Sequence, residues 1–294
     1  MNVAIIGSKG LGKDLAKKNT VSDIALYSTV FQGKSYTFVE PEKYPEKIQT
    51  LFQVINMSSF LILYITSDLE KKYLGECILA ASMSGKKGFI VSQNSDFEIN
   101  NIISGTNIEN FRIIENSHNK IMEALTSFEE ESKNDQPKIL IDHAFQVKSV
   151  GTVVLGTVLS GEVKKYENMK IFPKNKDVMI KSIQINDKDV DTAKCNDRVG
   201  LALKGIDADE IQRGDIIAKN LECINEISVK IEKNKFFKDE TPTNLMSLVG
   251  LQYVNSKILE NKIIFDRKIV YNNERIFLIS PDRPMRIFGV AFSC

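Results

Sequence analysis

The chain has 294 residues, 43% of them hydrophobic, and its 39 basic and 38 acidic side chains leave a formal net charge of +1. That length suggests two or three domains with sizeable cores, and the cancelled charge excludes a molecule-wide positive field for holding long nucleic acid, so any such contact must be local. Four cysteines (Cys77, Cys195, Cys223, Cys294) stand far apart without CxxC spacing and there are two histidines, which implies free thiols in a reducing cytosol and neither a disulfide frame nor a histidine metal centre.

Val3-Ala-Ile-Ile6 reads as a buried strand. It runs into Gly7-Ser-Lys-Gly-Leu-Gly12-Lys13-Asp14, with a helix expected from Leu15. This is the phosphate-loop pattern GxxxxGK[ST] with Asp14 in place of the final hydroxyl. The glycines Gly7, Gly10 and Gly12 would turn backbone N–H groups toward phosphate oxygens, and Lys13 would reach the outer phosphates. A carboxylate at position 14 repels those phosphates and could ligate Mg²⁺ only at that electrostatic cost. Two readings stay open: a nucleotide held without hydrolysis, and an empty loop kept as a scaffold turn. Further strands are expected at residues 35–39, 60–65 and 88–91, with helices at 74–84 and 118–131. That βαβ rhythm predicts a parallel sheet with helices on both faces. The apolar run 60–65 is too short to span a bilayer and the N-terminus lacks signal-peptide character, so a soluble, cytoplasmic protein is expected.

Residues 127–136 form a polar break ahead of Pro137 and place a boundary near residue 136. From Lys138 to Asn220 the pattern changes. Apolar residues alternate at 139, 141, 145 and 147, and Gly151, Gly156 and Gly161 punctuate a β-branched run. Period-two alternation with glycines at bulges and corners predicts a small antiparallel barrel. The remaining residues are also β-rich, with strands expected at 227–231, 245–253, 258–259, 262–265, 276–279 and 285–292. Asn272-Asn273 and Pro281-Asp282 mark turns between them.

The blocks His143-Ala-Phe, Val150-Gly-Thr-Val-Val, Gly156-Thr-Val, Lys181-Ser-Ile-Gln, Asp197-Arg-Val-Gly-Leu, Lys204-Gly-Ile and Arg213-Gly-Asp follow in this order. Together they resemble domain 2 of the translational GTPases, within them the elongation factor Tu group and especially the archaeal selenocysteine-specific elongation factor. Arg286-Ile-Phe-Gly289 is similar to a run in the third domain of the same factors. The implied fold is a degenerate P-loop, G-like α/β domain over residues 1–136, followed by two small antiparallel β-barrels over 137–221 and 222–294. The selenocysteine factor's further C-terminal domain is expected to be missing.

Laid against that family, the first domain has lost its timing parts. Glu40-Pro-Glu-Lys43 stands at the DxxG element, Tyr44 at the water-orienting histidine, Val21 at the switch threonine, and Gln93-Asn-Ser-Asp96 at the guanine-reading NKxD. Phosphoryl transfer needs in-line water, Mg²⁺ and charge neutralisation together. The expectation is therefore no GTP hydrolysis and no catalytic residue. If GTP or GDP binding survives, the resemblance assigns it to Gly7, Gly10, Gly12, Lys13, Asp14 and Asp96.

In the family the domain 2 barrel helps hold the aminoacylated end of tRNA. The resemblance carries that role onto Asp142, His143 and Lys181, where the selenocysteine branch has an arginine at the third position, and onto Arg198 near the terminal adenosine. A cationic imidazole and ammonium would favour an anionic side chain in a partly dry pocket, although lysine lacks the planar fork of arginine. The alternative is that Asp142 and His143 cap the barrel mouth and Lys181 is merely solvated. Two function classes follow. One is a non-hydrolysing binder of an aminoacyl-tRNA; the other is a protein-interaction module docking on the ribosome, a synthetase or another translation factor. Neither DNA nor a membrane is expected as a partner.

Overall fold

The computed structural model describes residues 1–92, 96–128, 135–238, 240–242 and 244–294; for Thr20, Val21, Asp96 and Phe97 it describes the backbone alone. The first part holds strands β1 (Asn2–Gly7), β2 (Lys17–Val21), β3 (Ala25–Phe31), β4 (Lys34–Glu40), β5 (Phe60–Ile65), β6 (Gly88–Ser92) and β7 (Arg112–Glu115). Its helices are α1 (Leu11–Leu15), α2 (Ile48–Asn56), α3 (Lys71–Ser84), α4 (Asp96–Ile103) and α5 (His118–Thr126). The strands form one sheet in the order β2-β3-β4-β1-β5-β6-β7. β1 and β5 are buried at every residue, as continuous apolar strands at the centre of a covered sheet should be.

Two expectations fail in this part. No long helix follows the phosphate loop: α1 ends at Leu15, Ala16 is extended at φ −155°, and residues 17–21 return as β2, antiparallel to β3. The polar run Lys17-Lys-Asn offers no apolar stripe for a helix to bury, whereas a sheet edge accepts it. For the same reason the sheet is mixed. β4, β1, β5, β6 and β7 run parallel, and β2 and β3 add an antiparallel end.

The middle β segment comprises β8 (Lys138–Val147), β9 (Gly151–Ser160), β10 (Glu162–Lys164), β11 (Asn168–Phe172), β12 (Lys176–Ile185), β13 (Lys188–Val190), β14 (Thr192–Lys194), β15 (Arg198–Lys204) and β16 (Ile216–Ala218), of which β10 and β14 pair as a separate two-stranded ribbon and the others form the first barrel sheet. The order β11-β16-β8-β9-β15-β12 closes through a β11–β12 pairing. Its core is β-branched and aliphatic, including Ile139, Ile141, Val154, Val158, Ile180, Val199 and Leu201. Bulges interrupt the β8–β9 register at Lys138/Ile139 and at Ile141/His143. The second barrel consists of β17 (Cys223–Lys233), β18 (Leu245–Val249), β19 (Gln252–Leu259), β20 (Lys262–Val270), β21 (Ile276–Ile279) and β22 (Ile287–Ser293), closed in the order β17-β20-β19-β18-β21-β22. The single strand expected over 245–253 is instead two strands of a hairpin, turned at Gly250 with φ +58°.

By Cα proximity the chain divides into two units: residues 1–130 with 232–242 and 277–290, and residues 131–231 with 243–276 and 291–294. Within the first, Phe52 of α2 meets Phe277 of β21 with ring centroids 4.7 Å apart. Within the second, Arg267 of β20 donates to Gln212 Oε1 at 2.7 Å. Among the described residues no helix is long and apolar enough to cross a membrane.

Candidate functional site

The phosphate-loop sequence does form a loop between β1 and α1, and its glycines are needed there for a reason internal to the chain. A side chain at Gly7 (φ +104°) would meet the Tyr64 carbonyl oxygen at 2.1 Å. One at Gly12 would lie 2.7 Å from the Tyr27 ring and 3.2 Å from the Glu40 carboxyl carbon. Tyr27 from β3 and Glu40, the last residue of β4, thus pack against Gly12, whereas a side chain at Gly10 (φ +101°) would meet nothing within 4 Å. Glu40 is 4% exposed, and its Oε1 accepts the Gly12 N–H at 2.7 Å. Burial raises the Glu40 carboxyl pKa, against the lowering effect of the Gly12 and Gly10 amides. Burial and Glu40 together push the Tyr27 phenol up to about 12, so it stays protonated at neutral pH. Ser8 is also engaged, its Oγ accepting from Thr66 N at 3.0 Å and bonding Thr66 Oγ1 at 2.8 Å.

A phosphate needs several free amides and open volume in front of them. Here a carboxylate takes the Gly12 donor, a phenol ring lies where a Gly12 side chain would point, and α1 is five residues long. Lys13 and Asp14 lie exposed on that short helix. In this arrangement the Gly12 amide is engaged within the chain. Gln93, Asn94 and Ser95 lie outside the described residues, as does the side chain of Asp96, whose backbone opens α4. Tyr44, at the position of the water-orienting histidine, is 2% exposed and donates to Glu76 Oε2 at 2.8 Å.

In the first barrel the structure brings together three of the four expected side chains. Asp142 is 3% exposed and takes both arms of Arg198, Nη1 to Oδ2 at 2.6 Å and Nη2 to Oδ1 at 3.0 Å. His143 Nδ1 lies 3.2 Å from Asp142 Oδ1. Consecutive strand residues normally face opposite ways, and the bulge between Ile141 and His143 is where that alternation breaks. Burial would raise the Asp142 carboxyl, but the Arg198 guanidinium and His143 outweigh it and hold the pKa below the usual carboxylate range. Arg213 Nε adds a bond to the Asp142 carbonyl oxygen at 3.2 Å.

Lys181 is placed differently. Its Nζ donates to the Val150 carbonyl at 2.7 Å, which ties β12 to the β8–β9 turn, and no described bond links it to Asp142 or His143. Arg198 is committed to Asp142, so within this set the His143 ring, with side-chain exposure of 25%, is the group left facing outward. Lys174 and Lys176, at the β11–β12 hairpin, are paired with Asp215 at 3.0 Å and Glu210 at 2.6 Å. Among the described residues no cluster of three or more His, Cys, Asp or Glu side chains could hold a metal ion.

Comparison with known proteins agrees with this architecture. Residues 151–218 match elongation factor Tu domain 2. The uncharacterized protein MJ0325 of Methanocaldococcus jannaschii is 38% identical over 99% of this chain and 98% of its own length. The selenocysteine-specific elongation factor of the same organism is 28% identical over 85% of the chain. The chain belongs to the translational GTPase family, in its elongation factor Tu and selenocysteine-factor group. Matching regions cover 60% of the selenocysteine factor's own length. The crystal structure of translation elongation factor SelB from Methanococcus maripaludis, in complex with the GTP analogue GppNHp, has the same fold. Its TM-score is 0.86 over 99% of this chain and 78% of that one, at 23% identity.

Within the family's frame, the residues that sequence reasoning missed are Tyr27 and Glu76. Neither lies in a motif. Glu40 was legible only as a departure from DxxG, because the Gly12 amide that gives it a role is 28 residues away along the chain.

Proposed function

We propose that this family member works without a nucleotide timer: it does not hydrolyse GTP, and its first barrel binds the acceptor end of an aminoacyl-tRNA or another translation component. One observation carries the reading. The Gly12 N–H, which the phosphate-loop resemblance would offer to a phosphate oxygen, donates instead to the Glu40 carboxylate at 2.7 Å. A GTP or GDP phosphate would have to displace a buried carboxylate before gaining the Gly12 amide. On this account the loop is a scaffold turn, and Lys13 and Asp14 have no ligand to serve. The barrel retains the Asp142–His143–Arg198 set, in which Arg198 orients Asp142 and Asp142 orients His143. His143 is then the side chain that meets the aminoacyl group. Its cellular setting is the cytoplasm, where charged tRNA is found.

Calorimetry of the purified chain with GTP and GDP in Mg²⁺ buffer, beside a filter-binding panel of aminoacyl-tRNAs, tests both halves. The expected result is no nucleotide heat and salt-sensitive binding of charged tRNA that weakens with His143→Ala. Nucleotide turnover lost on Lys13→Ala would overturn the first half. Equal affinity for uncharged tRNA and unrelated RNA would overturn the second.

A second reading is favoured by the engagement of Arg198 with Asp142 and of Lys181 with Val150, which leaves fewer cations facing solvent. Under it the barrels dock on the ribosome, a synthetase or another factor through protein contacts. Binding of such a partner that survives high salt and His143→Ala would favour it.

A further inference from the structure

Residues 41–47 connect β4 to α2 and contain the positions that the resemblance assigns to sensing the terminal phosphate. In this chain they are held from several sides. Lys9 Nζ donates to the Glu42 carbonyl at 2.8 Å, and Lys43 N donates to the Asp23 carbonyl at 3.1 Å. The strongest hold is at the middle. The Tyr44 hydroxyl donates to Glu76 Oε2 at 2.8 Å, and the Tyr73 carbonyl, 3.1 Å away, shares that proton. Glu76, on α3, is 1% exposed, and a carboxylate so buried persists only with a close cationic partner.

Arg286, just before β22, is that partner. Its Nε and Nη2 grip the Glu76 carboxylate at 2.9 and 2.5 Å, and Nη1 donates to the Pro45 carbonyl at 2.6 Å. Its guanidinium carbon also lies 5.8 Å from the Tyr44 ring centroid and 5.9 Å from that of Tyr73. A single planar fork therefore joins a helix carboxylate, a backbone carbonyl of the 41–47 segment and two aromatic rings. Lysine could not reproduce this with one point charge. All of these residues belong to the same compact unit.

We infer that Arg286 is the pin of a built-in clasp, with Glu76 and Tyr44 as its other members, that holds residues 41–47 in one fixed position irrespective of nucleotide. The segment is then a permanent strut in place of a switch. This goes beyond the proposed function, because the clasp stands whether or not the barrel takes a charged tRNA.

Hydrogen exchange with mass-spectrometric readout on the full chain tests it. In the unmodified protein the Lys43, Tyr44 and Lys47 amides should be protected, with exchange unchanged by saturating GTP or GDP. Arg286→Met should speed exchange over 41–47 by at least about tenfold, while residues 138–218, in the other unit, stay as protected as before and serve as the folding control. Arg286→Lys should not restore protection. If Arg286→Met fails to fold because Glu76 is left buried and charged, the double variant Glu76→Gln/Arg286→Met removes both charges and should show the same local loosening, and Tyr44→Phe a smaller one. Unprotected amides in the unmodified chain, protection that survives the double variant, or exchange that shifts on adding GTP or GDP would each overturn the clasp.

Discussion

Asp142→Ala should loosen the first barrel severely, and the structure sets the scale. The carboxylate is 3% exposed and takes two bonds from Arg198 at 2.6 and 3.0 Å. Removing one partner of a fully buried ion pair costs about 3–5 kcal/mol, because the other charge is left uncompensated. The Arg198 side chain keeps 17% of its exposure, so water reaches part of it, and the expected loss falls to about 2–4 kcal/mol. At ~1.4 kcal/mol per tenfold, a midpoint of ~3 kcal/mol raises the local opening constant about a hundredfold. The chain contains no tryptophan and several domains, so a single unfolding curve is a poor probe. Amide exchange over residues 139–145 and 198–203 reads the barrel directly. Adding Arg198→Met to Asp142→Ala should recover part of the loss, since no buried charge then remains. A double variant as destabilised as the sum of the two singles would refute the reasoning, because the pair would then not be coupled.

The same carboxyl predicts a pH dependence. Its folded pKa is lowered from the ordinary 3.8, so its stabilising contribution is complete above that value and disappears as pH falls below it. The stability gap between the unmodified chain and Asp142→Asn should close as pH falls below that value, as read by exchange or thermal melts. Glu40 has the opposite sign. Its folded pKa is raised above 4.5 by burial, so the charged form is penalised at neutral pH, and the unmodified chain should gain on Glu40→Gln as pH falls toward 4.5. A gap that widened with rising pH in favour of the unmodified chain would contradict the burial argument. Gly12→Ala places a methyl group 2.7 Å from the Tyr27 ring and should lower stability by about 1–3 kcal/mol in a melt, with no nucleotide present. Tyr27→Phe should restore none of that loss, since the clash is with the ring.

The sequence by itself determined the architecture, because periodicity and turn chemistry are local. The buried run Ile139-Leu-Ile141, the β-branched stretch after Gly151 and the turns at Asn272-Asn273 and Pro281-Asp282 specify strands and breaks from neighbours a few residues apart. Ordered blocks such as Asp197-Arg-Val-Gly-Leu and Arg213-Gly-Asp were enough to bring the family to hand. The same local reading erred where a choice depended on what lay opposite. A helix after Leu15 was plausible until β3 supplied an edge on which residues 17–21 could pair.

The sites were decided only by the tertiary structure. The motif around Gly12 does not reveal that a tyrosine and a glutamate arriving from β3 and β4 pack against that glycine and take its amide. Asp142 and Arg198 are 56 residues apart, and their pairing turns two candidate ligands into one internal support. Arg286 and Glu76 are 210 residues apart. A charge's role depends on which opposite charge and how much water surround it, and no pattern along the chain encodes either until the fold brings them together.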